Sequence, residues 1–309
     1  MGNGVTHHVI IDCDPGTDDA VALWLALASP ELSVEAITVA GGNVGLEQTL
    51  GNARAVVSLT GARVPVHAGA ARPLLGRFTS AARVHGQDGL NGVSLPAGGP
   101  PAPGLAADAI RARLRTATIP LTLIGIGPAT NIALALATEP TLAARIAEIV
   151  LMSGAWGEGN ATPAAEFNAW SDPEALAIVL ACGRPITLVT LELTAQALVT
   201  PSRIAALRRC GRNACLRAAC DILAAAPSPA RMHGAPLHDP CAIAWLLRPD
   251  LFSGRDCAVR IETSDGEGRG RTHIDRWQLT GQPANAHVLE RLDADGFFDL
   301  LGRRLAALP

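Results

Sequence analysis

The sequence predicts an α/β protein built on one large, mainly parallel (mixed) sheet with helices on both faces. Three observations predict it. Strand-like apolar runs alternate with helix-like runs along nearly the whole chain. Nearly half of the 309 residues are hydrophobic and only 17% are charged, enough for a large buried core and too apolar for disorder. No linker, repeat or low-complexity tract divides the chain, so residues 1–309 read as a single domain.

The elements follow in order. His8 to Cys13 is a strand that ends at Pro15-Gly16, and Asp18 to Ala28 is the helix after it. Val34 to Ala40 and Gln48 to Leu59 repeat the pair. Further strands are expected at Pro120 to Ile124, Ile149 to Met152 and Ile186 to Leu191, with helices at Ala129 to Ala137, Pro173 to Ala181 and Ser202 to Arg209. Two short strands, Ala258 to Glu262 and His273 to Leu279, precede a closing helix from Ala286 to Ala307. Gly76 to Pro103 and Pro227 to Pro236, rich in Gly, Pro and small residues, read as mobile loops. The result is a Rossmann-like sheet, in which ligands bind beyond the carboxyl ends of the strands.

Composition excludes several functions. All 25 cationic residues are arginine, so there is no Schiff-base lysine and no P-loop lysine. Tyrosine is absent. A net charge of -3 with no basic face argues against nucleic acid as a partner. Seven cysteines without paired metal-ligand spacing read as small core residues of a reducing, cytoplasmic compartment. Val9 to Ile11 is too short for a leader, and no apolar run is long enough to span a membrane. Met1-Gly2 with Thr6 matches the acylation pattern only loosely and is set aside.

The strongest local signal is Asp12-Cys13-Asp14-Pro15-Gly16-Thr17-Asp18-Asp19, four carboxylates in eight residues at a strand's carboxyl end. Strand periodicity puts Asp12 and Asp14 on one side, and Pro-Gly turns the chain so that Asp18 and Asp19 open the next helix. Anions this close repel one another unless a cation neutralises them, and many oxygen donors of flexible geometry suit calcium. Helix capping and the helix dipole account for Asp18 or Asp19 singly, but not for Asp12 and Asp14 arriving from an apolar strand.

This cluster, followed by Ala20-Val21-Ala22-Leu23, resembles the opening motif of the inosine-uridine-preferring nucleoside hydrolases. The resemblance continues in order through Gly41-Gly42-Asn43, His85-Gly86-Gln87-Asp88-Gly89, Gly127-Pro128-Ala129-Thr130-Asn131, Asn160, Glu166-Phe167-Asn168, Asp172-Pro173-Glu174-Ala175 and His238-Asp239-Pro240. It covers most of the chain, and the ordered set is far more specific than any member. It implies the nucleoside hydrolase fold and hydrolysis of the N-glycosidic bond of ribonucleosides to free base and ribose. By the resemblance, Asp14, Asp19 and Asp239 bind Ca2+ with the main-chain carbonyl of Ile126, and Asp14 takes a proton from the attacking water. Asp18, Asn43, Asn160, Glu166 and Asn168 hold the ribose hydroxyls, Asp12 supports the metal ligands from behind, and His238 protonates the leaving base. A homodimer or homotetramer is implied by the same analogy.

Other residues are assigned structural roles or none. Asn131 stabilises its turn, Asp172-Pro173 is a helix cap with a first-turn proline, and His85 is a loop residue near the site. His67 and His273 receive no role. Two departures bear on the base: Cys215 to Ala226 offers no aromatic residue for stacking, and Thr263 to Gly268 lacks the family's Leu-Thr-Arg-Gly run, with Arg269 and Arg271 as the nearest substitutes. Two rival functions are a haloacid-dehalogenase-like phosphatase, from Asp12-x-Asp14 with Thr17, and a ribose- or nucleoside-binding protein without catalysis. The missing lysine and the Pro-Gly before the double aspartate weigh against the first. The lack of an export leader weighs against the second.

Overall fold

The computed structural model describes residues 6–228 and 233–309. Met1 and Gly2, on which the acylation pattern rests, and the middle of the Pro227 to Pro236 stretch lie outside them. The first half runs β1 (His7–Cys13), α1 (Thr17–Leu27), β2 (Leu32–Val39), α2 (Leu46–Thr60), β3 (Val66–Ala68), the one-turn α3 (Ala82–His85), α4 (Ala106–Thr116), β4 (Leu121–Gly125), α5 (Thr130–Thr138) and β5 (Ile146–Met152). It continues through α6 (Phe167–Ser171), α7 (Pro173–Leu180), β6 (Ile186–Val189), α8 (Leu191–Thr194), β7 (Leu198–Val199), α9 (Pro201–Cys210), α10 (Ala214–Ala225), β8 (Ala235–Pro236) and α11 (Pro240–Leu247). The chain closes with β9 (Phe252–Ile261), β10 (Thr272–Asp275), β11 (Ala286–Leu292) and α12 (Ala294–Ala306).

Nine strands form one sheet in the order β10-β9-β11-β6-β5-β4-β1-β2-β3. From β11 to β3 every neighbouring pair is parallel, and β9 pairs antiparallel with both β11 and β10. The expected mainly parallel, mixed sheet is therefore what forms. Alternation along β1 explains the two-sided core. Val9, Ile11 and Cys13 pack with α1, α10, α11 and α12, whereas Ile10 packs with α4 and α5 on the other face. The carboxyl ends of β1, β2, β4, β5 and β6 thus open onto one edge, and the acidic turn after β1 lies at its centre.

The closing helix is corrected. Ala286 to Leu292 is β11, seated between β6 and β9, and Asp293 then caps α12 by accepting the Gly296 amide at 3.1 Å. Ala286, Leu289 and Leu292 share helical spacing, and Leu, Glu and Arg favour helices, but two neighbouring strands override that local preference. Asp293 carries the N-cap signal that marks the boundary. The runs expected through Leu191 and Leu279 stop earlier, at Val189 and Asp275. Helices α3, α4, α6, α8, α10 and α11 and strands β3, β7 and β8 are additional to the expected set.

Candidate active site

Asp12 and Asp14 leave β1 together and serve different ends. Asp12 accepts the Thr38 hydroxyl at 2.6 Å and the Asn131 side-chain amide at 2.9 Å, tying β1 to β2 and to the first turn of α5. Burial nonetheless raises its carboxyl to about 7, against the pull of those two donors. Asn131 also accepts the Ala70 amide at 2.8 Å, so its role is structural, but it ties α5 to β1 and to the segment after β3 and not to its own turn. Asp14 is fully buried. Its Oδ2 accepts the Asn43 amide at 2.6 Å, and its Oδ1 has no hydrogen-bond partner. Glycines crowd it on two sides: a Cβ at Gly42 would overlap Oδ2, and one at Gly127 would come within 2.5 Å of Oδ1.

Asp18 and Asp19 lie in the first turn of α1, and Asp239 immediately precedes Pro240 at the start of α11. One carboxylate oxygen from each of Asp18, Asp19 and Asp239 lies within 4.8 Å of the others. Asp19 also caps α1: its carboxylate accepts the amides of Asp14 (3.1 Å) and Gly16 (3.0 Å) and the Asn43 side chain (2.9 Å). The three-way grouping contains Asp18 where the sequence led us to expect Asp14, which lies beside it with its orphaned Oδ1. Burial raises Asp19 to about 7, with repulsion from Asp18 adding to the shift. Burial also pushes Asp14 and Asp239 well up, reinforced for Asp14 by Asp19 and for Asp239 by Asp18. These carboxylates cannot all ionise together without a counter-charge.

The expected ribose set is spread around this cluster, and much of its hydrogen-bonding capacity serves the backbone. Asn43 spends both side-chain amide hydrogens, on Asp19 and on the Asp14 carbonyl (3.1 Å), leaving its carbonyl oxygen. Asn168 gives its amide hydrogens to the carbonyls of Ile126 and Met152, both at 3.0 Å. Glu166 caps α6, accepting the amides of Asn168 (2.8 Å), Ala169 (2.9 Å) and Gly154 (3.0 Å). Burial raises its carboxyl, and those amides oppose the shift. Asn160 is exposed, and its side-chain oxygen accepts the Phe167 amide at 2.8 Å. The Ile126 carbonyl retains a second lone pair beyond the one Asn168 uses. Asp172 caps α7 through the Ala175 amide, as expected, and also accepts the Leu74 amide and the Thr130 hydroxyl.

Two histidines complete the site. His238 is half-buried, and its Nδ1 lies 2.7 Å from Thr194 Oγ1. His85, set aside in the sequence reading as a loop residue, is buried with Nδ1 at 3.1 Å from the Thr17 amide and 4.0 Å from Asp18. Burial lowers both imidazoles; Asp18 opposes the shift in each, and His238 adds to it at His85. A backbone N–H can only donate, so neutral His85 carries its proton on Nε2. Thr194 Oγ1 also lies 3.2 Å from the Leu191 carbonyl, so its hydroxyl can donate there and accept from His238 Nδ1, or donate to that nitrogen. The signal for His85 was present in the sequence as a histidine inside a glycine-rich motif, but only the fold brings it against Thr17.

The donor set suits a hard divalent cation: buried carboxylates, one with an orphaned oxygen, and no nitrogen or sulfur ligand among them. Residues 9–299 match the family model described as inosine-uridine preferring nucleoside hydrolase. The chain is 46% identical over 309 residues to a pyrimidine-specific ribonucleoside hydrolase RihA of Shewanella sp. (strain ANA-3), covering 96% of both proteins. Among solved structures it resembles the purine-preferring ribonucleoside hydrolase from Gardnerella vaginalis, with a TM-score of 0.88, 31% identity and coverage of 97% of this chain and 98% of that one. It also resembles the plant nucleoside hydrolase PpNRh1, with a TM-score of 0.89, 30% identity and coverage of 97% and 99%. Sheet, acidic edge and full-length likeness agree, and the chain belongs to the inosine-uridine preferring nucleoside hydrolase family.

Proposed function

We propose that the enzyme hydrolyses the N-glycosidic bond of pyrimidine ribonucleosides, releasing base and ribose. The observation that carries the chemistry is the convergence of the Asp18, Asp19 and Asp239 carboxylates beside the unpartnered Asp14 Oδ1. Asp14, Asp19 and Asp239, with the Ile126 carbonyl, would hold a calcium ion, whose chemistry when bound is to neutralise the cluster and acidify a coordinated water. Asp14 Oδ1 is the free acceptor for the proton of the attacking water. Asp18, Asn160 and the remaining acceptors of Asn43, Glu166 and Asn168 orient the ribose hydroxyls. Buried carboxylates also stabilise the positive charge that grows on the ribosyl group as the bond breaks. The departing base collects negative charge, and His85 Nε2–H and His238 are the groups that would supply its proton.

The pyrimidine preference rests on the stronger likeness to relatives named for it and on the lack of any aromatic residue in α10. Family membership removes the phosphatase alternative. We place the enzyme in the cytoplasm, because all seven cysteines are free thiols and five are buried. Among the described residues no helix is long and apolar enough to cross a membrane. A homodimer or homotetramer fits the exposure of Trp277 and Leu279, which sedimentation would test. The deciding assay measures free ribose and free base from uridine, cytidine, inosine and adenosine. Uridine and cytidine are expected to give the higher kcat/KM. Binding without product would leave a ribose-binding protein instead, and faster inosine turnover would reverse the base preference.

A further inference from the structure

We propose that Thr272, at the start of the edge strand β10, is a positioning residue for the loop that presents Glu166 and Asn168 to the ribose. This rests on the function proposed above. Thr272 is buried, and its hydroxyl makes two hydrogen bonds to one residue of that loop. It accepts from the Ala155 amide at 2.9 Å and donates to the Ala155 carbonyl at 2.7 Å. A side chain thereby substitutes for a strand partner just where β5 has ended. The next residue back, Gly154, has φ +81°, and a Cβ there would meet the Thr272 side chain at 2.9 Å. Its amide donates to Glu166 Oε2. Thr272 therefore fixes Ala155, the residue that follows the amide holding the Glu166 carboxylate.

The neighbouring residues fasten the other end of the same loop. Gly270, at φ +81°, lies so close to Trp170 that a Cβ would come within 2.6 Å of its Cα. Arg269 pairs with Glu174 at 2.8 Å. Trp170 belongs to α6, which carries Asn168 and is capped by Glu166, and Glu174 lies in the first turn of α7. Residues 269–272 thus hold the ribose loop at Ala155, Trp170 and Glu174. This is the segment next to the altered run after Thr263, and the structure gives it an anchoring task.

Hydrogen bonds to ground-state hydroxyls act alike on bound substrate and transition state, so their misplacement raises KM and largely spares kcat. In Thr272→Val, which keeps the shape and loses the hydroxyl, KM for uridine should rise about tenfold with kcat near the wild-type value. Thr272→Ser should restore the wild-type KM. Arg269→Gln, nearer the surface, should give a smaller KM rise at unchanged Tm, and it serves if the valine variant fails to fold. A wild-type KM in folded Thr272→Val, or in Arg269→Gln if the valine variant does not fold, overturns the proposal. So does a serine variant as impaired as valine. Wild-type enzyme with no activity on any ribonucleoside would instead overturn the underlying function, so the two failures are distinguishable.

Discussion

The Thr17 amide, which can only donate, holds neutral His85 in the Nε2–H tautomer, whereas His238 Nδ1 faces a threonine hydroxyl that can donate or accept. Burial keeps both neutral lower in pH than a free imidazole. His85 thus offers a proton from Nε2 without first having to acquire one. The sequence singled out His238 through its neighbour Asp239 and assigned His85 to a loop. A sequence can show that a histidine precedes a carboxylate, but not that a distant threonine amide will orient its ring. If the pair protonates the leaving base, His85→Ala and His238→Ala should each slow uridine hydrolysis by about 10²–10⁴-fold. A nitrophenyl riboside, whose leaving group needs little protonation, should be cleaved at near wild-type rates by both. Equal losses on both substrates would make the histidines structural or ribose contacts.

The turns at the carboxyl ends of the strands set the tolerances of the site. The β2–α2 turn brings Gly42 against Asp14 Oδ2 and the Asn43 amide onto the same oxygen, while Gly45, three residues on, has open space around it. Gly42→Ala should therefore displace Asp14 and lower kcat/KM at least about a hundredfold, with overpacking costing about 1–3 kcal/mol of stability. Gly45→Ala should be near neutral on both counts. Matched effects in the two variants, measured by steady-state kinetics and thermal melts, would show that Asp14 is not confined as described. Elements with clear punctuation were legible in the sequence: Pro15-Gly16 ended β1, and Asp172-Pro173 opened α7. Strand β11 was not, because its apolar spacing suits a helix and only its seat between β6 and β9 makes it a strand. The acidic turn after β1 was legible because its four carboxylates lie within eight residues. The clamp at Thr272 was not, since it joins residues 117 positions apart.

At the scale of the whole molecule, the site is a concentration of buried negative charge that the fold tolerates only by protonation or by a counter-ion. Without a cation, Asp19 titrates near 7 and Asp14 and Asp239 are also pushed up, against about 3.9 for an aspartate in the unfolded chain. Between those values the native state holds protons that the unfolded state has released. The metal-free fold therefore loses stability as pH rises from about 4 through about 7. His85 and His238 act in the opposite sense: their folded values are depressed, so they cost stability as pH falls through about 6.5. They are present with or without the cation, so the difference between calcium-loaded and chelated protein isolates the carboxylates. Protons compete with the cation for the same oxygens, so its stabilisation should grow as the carboxylates ionise. Calcium should raise Tm more at pH 8 than at pH 5, by a margin of at least about 4 °C for a chain of this length. A calcium effect that is absent, or equal at the two pH values, would show that Asp14, Asp19 and Asp239 do not hold the ion. In Asp239→Asn, with one charge fewer, the chelated protein should lose less stability between pH 5 and pH 8 than the wild type, and calcium should add little at either.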